Sequence, residues 1–194
     1  MKIEQKKMSN RHTFTFGQDT INFHYLDKTG SGDADIPYSE FPKKHSIAIE
    51  QNQWLKNVGY LWCALGIIQI GYSLYANNTI RGTGFWLMIG LACIVLSRLT
   101  KVSYTVYKAE SGSVFIIQDG KKHDQIINEI FKRKKQYLLS HYGEIDHDTS
   151  LQNEINKFHW LVDEGVLTSE EASQRISEAE VVYYKETPPP MSLN

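Results

Sequence analysis

The feature that most constrains this chain is a long segment without charge inside an otherwise polar sequence. Val58–Ala76, VGYLWCALGIIQIGYSLYA, contains no charged residue, and the uncharged run extends from Asn57 to Ile80. A helix rises about 1.5 Å per residue, so this segment is long enough to cross a hydrocarbon core of about 30 Å. Gly82–Ser97 is a second uncharged run, which as a helix covers about 24 Å.

Either run alone is also compatible with a buried core helix of a soluble domain. Two such runs joined by the short polar segment NNTIR favour a hairpin of two transmembrane helices over residues 54–98. Aromatic side chains near the predicted helix ends, Trp54, Tyr72, Tyr75 and Trp86, are typical of membrane interfaces. The alternative of a buried helix pair stays open at this point.

Basic residues are distributed unevenly around the two runs. They precede the first run and follow the second, whereas only Arg81 lies between them. The positive-inside rule therefore predicts that both termini are cytoplasmic. The basic residues expected at the membrane interface are Lys56, Arg81, Arg98 and Lys101. The formal net charge of −1 gives no general attraction to nucleic acid, and none is expected as a partner.

The sequences on both sides of the hairpin alternate in polarity, which predicts β-strands. Before it lie RHTFTFG, TINFHYL and HSIAIEQ, of which the last places Ile47 and Ile49 on one face. After it lie KVSYTVYKAE, which also alternates, and SGSVFIIQDG, which is predicted to be a short buried strand ended by Asp119-Gly120. A helix is then predicted from about Lys122 to His141, with a one-sided apolar stripe formed by Ile126, Ile127, Ile130, Phe131 and Leu138. Between the strands, Thr29–Asp35 is predicted to be a turn.

Neither flank by itself has enough residues and elements to form a stable domain. Together they supply about one hundred residues, which is a common domain size. The sequence therefore predicts an α+β membrane protein in which residues 1–53 and 99–146 form one cytoplasmic domain, interrupted between two strands by the membrane hairpin.

The stretches ADIPYSEF, YTVYKAESGSVFIIQDGKKHDQIINEI and RKKQYLLSHYGEID resemble a pleckstrin-homology-like domain of the bacterial type. The resemblance covers roughly residues 11–146, apart from the hairpin. It implies a small β domain with a C-terminal helix that serves in binding or scaffolding, without cofactor. It also places the two predicted spans in a bacterial inner (cytoplasmic) membrane, where membrane lipid is an expected partner.

The C-terminal part predicts a helical hairpin over residues 150–183. Leu151, Ile155, Phe158 and Leu161 have helical spacing, Gly165 follows as a C-cap, and Thr168 with Glu171 forms a capping box. The stretch FHWLVDEGVLTSEEASQRI resembles the SHOCT type of two-helix module, which implies an interaction or oligomerisation element. The residues expected to dock a protein partner or a second copy are Phe158, Trp160 and Leu161. Residues 184–194 are predicted to be a disordered tail.

Two clusters of polar residues are candidates for lipid or metal binding. KRKK, residues 132–135, suggests contact with anionic lipid through Lys132, Arg133 and Lys135, although its charges spread around the helix and a solvated surface is the alternative. HYGEIDHD contains metal-ligand types, but the spacing matches no closed zinc pattern. We predict no catalytic residue, no metal and no enzymatic activity, because no nucleophile, base or paired-cysteine motif is present.

These observations predict a non-enzymatic, membrane-anchored cytoplasmic binding or regulatory module. A toxin-neutralising, immunity-type protein is one version that the small size and the membrane hairpin permit. The alternative is a small oligomeric channel or transporter component, which requires polar side chains along one face of each span. Only Gln69, Ser73 and Ser97 are available for that role, and Gln69 is expected to form a hydrogen bond between the two helices.

Overall fold

The computed structural model of the protein describes residues 1–76 and 84–186. Within these ranges the chain is an α+β protein with two antiparallel sheets and five α-helices. The first sheet has four strands, which pair in the order of the sequence: β1 (Lys2–Lys7), β2 (Asn10–Phe16), β3 (Thr20–Leu26) and β4 (Ser31–Pro37). Strands β2 and β3 lie where the alternation of polarity places them.

Strand β4 forms in a segment that was predicted to be a turn, so that prediction is wrong from Ser31 onward. The true turn is confined to residues 27–30, between β3 and β4. In β4, Ile36 is fully buried, whereas Asp33 and Asp35 are exposed. Both carboxylates accept hydrogen bonds from the Asn22 side chain on β3, at 2.8 and 3.0 Å. This pairing across the strands compensates for the low strand propensity of aspartate.

The second sheet has three strands in the order β5 (Ser46–Glu50), β6 (Val102–Lys108) and β7 (Ser113–Ile117). The pairing of β5 with β6 runs from Ser46 opposite Val106 to Glu50 opposite Val102. The helices α1 (Gln53–Tyr75) and α2 (Phe85–Leu99) therefore lie in the connection between two neighbouring strands of one sheet.

The expected apolar face of β5 is not buried. Ile47 and Ile49 are 62% and 57% exposed, whereas Ala48 between them is half-buried against Tyr104 and its neighbours. Strand β5 lies at one edge of this sheet, and its half-buried residue is the small Ala48. The strand and its alternation are confirmed, and the face that carries Ile47 and Ile49 is the exposed one.

One apolar core joins the two sheets to α3 (Lys121–Tyr142), and it contains residues from both sides of the α1–α2 pair. Phe14 and Ile21 come from before the helices, and Ile116, Ile126 and Ile130 come from after them. The sheets are also joined by polar contacts. The Gln5 side chain donates to the Ile117 carbonyl at 3.0 Å and accepts from the Ile117 amide at 2.9 Å.

Helices α1 and α2 form an antiparallel pair with small residues between them. A Cβ atom on Gly66 would lie 2.5 Å from the Leu87 amide nitrogen, and one on Gly90 would lie 2.6 Å from the Cys63 nitrogen. These distances show that the two backbones are in close approach, which only glycine permits. Of the described helices, only α1 is long and apolar enough to cross a membrane, and α2 is a shorter apolar helix.

The C-terminal region forms α4 (Leu151–Asp163) and α5 (Ser169–Glu186). The predicted capping box is confirmed: the Glu171 amide donates to the Thr168 hydroxyl at 3.2 Å, and the Thr168 amide donates to the Glu171 carboxylate at 2.8 Å. Gly165 between the helices has a φ of +68°, as a C-cap glycine requires. Residues 184–186 belong to α5, so the prediction of a disordered tail is wrong there, and residues 187–194 lie outside the described residues.

Candidate functional site

A cavity of about 410 Å³ opens between the two sheets, close to the point where the chain leaves β5 for α1. Its lining combines aromatic rings with charged and polar groups. This composition is typical of a binding site and not of a packing defect. The residues that line it are His12, Tyr25, Asp27, Thr29, Ala48, Ile49, Glu50, Tyr104 and Phe115.

A hydrogen-bonded group of three side chains holds two of the lining residues, Glu50 and Tyr104, in place. The Tyr104 hydroxyl donates to Glu50 Oε2 at 2.7 Å, and Asn10 Nδ2 donates to the same oxygen at 2.9 Å. Asn10 also contacts the Tyr104 hydroxyl. Burial, together with the bond to Glu50, raises the pKa of Tyr104, so the phenol stays protonated and donates. The Glu50 carboxylate is thereby fixed at the cavity by residues from β2 and β6.

His12 is 4% exposed and lines the cavity from β2. Its Nδ1 lies 2.7 Å from the Phe115 carbonyl oxygen, and because a carbonyl can only accept, Nδ1 carries the proton. Burial lowers the pKa of His12, against the opposing effects of the Phe115 carbonyl and of Asp27 and Glu50. The ring is therefore neutral near pH 7, and its Nε2 is an acceptor without a hydrogen-bond partner among the described residues.

Asp27 supplies the second carboxylate, from the turn between β3 and β4. Its Oδ1 accepts hydrogen bonds from the Thr29 hydroxyl at 2.6 Å, the Thr29 amide at 2.7 Å and the Gly30 amide at 3.0 Å. The hydroxyl and amide donors lower the pKa of Asp27. The side chain is thus an anion held at the rim of the cavity by its own turn.

The cavity therefore presents acceptors and aromatic faces, with two carboxylates, a neutral histidine and no lysine or arginine among its lining residues. Such a site favours a donor-rich cation, such as an ammonium or guanidinium group, and repels an anion. Within the described part of the chain, no three His, Cys, Asp or Glu side chains are grouped so that they could hold a metal ion.

The structure brings three of the four predicted membrane-interface residues together. Lys56, Arg98 and Lys101 line one cavity of about 410 Å³ at the base of the α1–α2 pair. The fourth, Arg81, lies outside the described residues.

The four residues of KRKK have different environments. Lys132 and Lys135 are exposed. Arg133 is half-buried; its Nε donates to Glu129 at 2.6 Å and its guanidinium donates to the Gly17 carbonyl at 2.7 Å. Lys134 is buried and donates to Glu164 at 2.6 Å and to the Phe41 carbonyl at 2.7 Å. Of the predicted lipid contacts, Arg133 is therefore already engaged within the chain.

The predicted docking residues also separate into two kinds. Phe158 and Leu161 are fully buried between α3, α4 and α5, so they have no surface to offer a partner while these helices stay packed. Trp160 is 39% exposed and packs edge-on against Tyr142, with ring centroids 5.4 Å apart. The predicted docking surface is thereby reduced to Trp160 and its neighbours.

The polar residues of the two apolar helices do not share a face. Ser73 and Ser97 are buried between α1 and α2, whereas Gln69 is exposed on the outside and forms no hydrogen bond to α2 within the described residues.

Sequence reasoning did not identify the inter-sheet cavity, although part of the signal was present. His12 occupies the same strand face as Phe14 and Phe16, so a titratable residue falls at an inward position of β2. Glu50 and Asp27 give no such signal, because they lie at the end of a strand and in a turn. Asn10 and Tyr104 are 94 positions apart in the sequence, and they are in contact only because of the fold.

Compared with known proteins, the chain matches no family model, no curated protein and no solved structure.

Proposed function

We propose that this protein is a non-enzymatic binding module, anchored by the α1–α2 pair in a bacterial cytoplasmic membrane with both termini in the cytoplasm. In this proposal the two sheets and α3 form a pleckstrin-homology-like domain at the membrane surface, and α4 with α5 forms a SHOCT-like module. The order of four strands, three strands and a closing helix supports the first resemblance, and the capped helical pair supports the second.

The observation that carries the proposal is the exposure of α1. Only 17% of its most apolar window is buried within the protein, whereas the core helix of a soluble domain is mostly buried. Large apolar side chains on both helices are exposed, including Leu61, Ile67, Ile68, Phe85, Met88 and Leu99. Apolar surface of this extent needs a cover, and a bilayer covers it on all sides.

The position of the helices in the fold supports a domain on one side of the membrane. Because β5 pairs with β6, the chain leaves and re-enters the same sheet. A helical pair inserted there returns the chain to the membrane face it left. With 23 residues α1 is long enough to span, whereas the 15 described residues of α2 cover about 22 Å. In our proposal both helices cross the membrane.

The binding function is assigned to the inter-sheet cavity. Its carboxylates, Asp27 and Glu50, and its aromatic rings suit a lysine or arginine side chain of a protein partner. A toxin-neutralising, immunity-type role is one form of this function, in which the partner is a toxin that reaches the membrane.

Membrane anchoring is tested by washing membranes that contain the full chain with high salt and then with alkaline carbonate. An integral protein stays in the pellet through both washes. Release by carbonate would show that the helical pair is not inserted, and external labelling of a tag at either terminus would contradict the orientation.

The cavity is tested by co-purification from native membranes with the Asp27→Asn/Glu50→Gln variant, which removes both charges and keeps the side-chain shapes. A partner recovered with the wild type should be lost with this variant. The matched control is Asp33→Asn/Asp35→Asn, which removes two carboxylates from the outer face of β4. Equal recovery with both variants would show that the cavity does not bind the partner.

A further inference from the structure

The cavity at the base of the α1–α2 pair has a charge opposite to that of the inter-sheet cavity. Three cationic side chains line it, from three different places in the fold. Lys56 lies in the first turn of α1, Arg98 in the last turn of α2, and Lys101 directly before β6. The other residues of its lining are Gln51, Tyr60 and Ile94, so no carboxylate takes part.

Hydrogen bonds hold the backbone around this cavity in place. Gln51 Nε2 donates to Ser97 Oγ at 3.1 Å, and Ser97 Oγ donates to the Asn52 carbonyl at 3.3 Å. Ser97 is fully buried, and Asn52 caps α1 by accepting from the Leu55 amide at 3.0 Å. The start of α1 and the end of α2 are therefore fixed relative to each other, and so are the attachment points of the cations.

The positive charge of the cavity is not neutralised by the chain. Within the described residues, none of the three cations forms a salt bridge. In contrast, Arg133 pairs with Glu129 and Lys134 with Glu164. Three unpaired cations around one space repel each other, and an anionic ligand between them removes that repulsion.

We infer that this cavity binds the phosphate of an anionic phospholipid. The inference rests on the proposed membrane location, which sets this end of the hairpin at headgroup depth. Arginine and lysine are suitable donors to a phosphate, and the Tyr60 hydroxyl adds a further donor. Ile94 supplies an apolar wall toward the middle of α2, where the glycerol and the first acyl carbons of a lipid would lie. A basic pocket next to two membrane helices fits a lipid headgroup better than a soluble phosphate.

The inference is tested on the full chain in non-ionic detergent, titrated with short-chain phosphatidylglycerol or phosphatidylcholine and observed by native mass spectrometry. We expect one retained phosphatidylglycerol and at least tenfold weaker retention of phosphatidylcholine. The Lys56→Gln/Arg98→Gln/Lys101→Gln variant should lose affinity by about fivefold for each cation, or about a hundredfold in total. If the triple variant does not fold, Lys101→Gln alone, which lies outside both helices, should still weaken binding about fivefold.

The matched control is Lys6→Gln/Lys28→Gln/Lys44→Gln, which removes three exposed cations that line no part of this cavity. It should retain the wild-type affinity. An equal loss in both triple variants would overturn the inference, because binding would then depend on net charge alone.

A soluble competitor separates the two sources of phosphate. Millimolar inorganic phosphate should leave the bound phosphatidylglycerol in place, and full displacement by phosphate would overturn the assignment to lipid. Failure of the wild type to prefer phosphatidylglycerol would also overturn it. Because these measurements are made in detergent, they are separate from the carbonate wash: a chain that resists carbonate but shows no lipid preference contradicts only this inference.

Discussion

The two helical pairs of this protein differ in which side chains lie between the helices and which lie on the outside. The residues buried between α1 and α2 are small, such as Gly66 and Gly90, and most large apolar side chains are on the outside, apart from Trp62 stacked on Trp86. Between α4, α5 and α3 large apolar side chains, such as Phe158 and Leu161, are buried, and most charged side chains are on the outside. The contrast teaches that apolar content alone does not identify the surroundings of a helix, because the side chains that the helix exposes must also be considered.

The difference follows from what stabilises each pair. Helices surrounded by water gain free energy by burying large apolar side chains between them. Helices surrounded by hydrocarbon gain nothing from that burial, so close backbone contact and interhelical hydrogen bonds hold them together. The packing of α1 on α2 through Gly59, Gly66 and Gly90 follows the second pattern. This agreement supports the membrane location that we propose.

The largest expected effect on stability is the loss of a buried side chain in the α4–α5 pair, compared with the loss of a partly exposed one. Phe158→Ala removes a fully buried ring and should lower the free energy of unfolding by about 4 kcal/mol. Trp160→Ala, at a partly exposed neighbouring position, should cost about 1 kcal/mol or less. Denaturant titration of the full chain in detergent, followed by circular dichroism, measures both. Comparable losses would show that the pair does not pack as described.

The second prediction concerns the α1–α2 pair, in which the residue to be changed is a buried glycine. Gly66→Leu places a side chain against the Leu87 backbone and should destabilise the pair by about 2–3 kcal/mol. The matched control is Gly71→Leu, because a Cβ atom on Gly71 has no neighbour within 4 Å. Thermal stability in detergent should fall for the first variant and stay near the wild type for the second. The reverse order would contradict the packing.

A third, smaller effect concerns the attachment of the α4–α5 pair to the rest of the fold. Lys134 on α3 donates to Glu164 after α4 and to the Phe41 carbonyl before β5. Lys134→Met should cost about 2 kcal/mol, because a partly buried carboxylate and a carbonyl lose their donor. Lys132→Met, at an exposed position, should change stability by less than about 0.5 kcal/mol. If both variants melt alike, the C-terminal pair is not held by this contact.

The regular elements could be predicted from sequence where one periodicity dominates. Strands β2, β3, β6 and β7 alternate clearly, and α3 carries a one-sided stripe that includes the buried Ile126 and Ile130. Strand β1 was missed because its segment, KIEQKK, has Ile3 as its only apolar side chain. Strand β4 was missed because the carboxylates that suggest a loop are paired with Asn22 on the neighbouring strand.

The candidate sites were less accessible to sequence reasoning than the elements. Lys56, Arg98 and Lys101 were predicted to lie at the interface one by one, but their grouping depends on how α1 packs on α2. The inter-sheet cavity depends on the register of β5 with β6, which sets Ala48 opposite Tyr104 and leaves Glu50 at the end of the pairing. Neither arrangement has a local signature in the chain.

The smallest expected effect is a difference in acid sensitivity between the two helical pairs. Backbone and hydroxyl hydrogen bonds from Thr168, with a smaller contribution from Lys135, lower the pKa of Glu171 below its ordinary value of 4.5. A carboxylate with a lowered folded pKa contributes stability above pH 4.5 and loses it as the pH falls through the folded pKa. The α1–α2 contact has no carboxylate in the described residues and should not respond to acid.

The measurement is the difference in melting temperature between the wild type and Glu171→Gln, followed from pH 7 to about pH 3. The wild type should be slightly more stable at pH 7, because the anion at the first turn of α5 accepts the Thr168 amide. The difference should shrink as the pH falls through the folded pKa of Glu171, because both side chains are then neutral.

Glu170→Gln is the control, since Glu170 is exposed on the same turn and accepts no hydrogen bond from the described backbone. A difference that does not change with pH would mean that Glu171 acts through its shape and not through its charge. If Gly66→Leu showed the same acid dependence as Glu171→Gln, the two pairs would not be independent, and the contrast between them would fail.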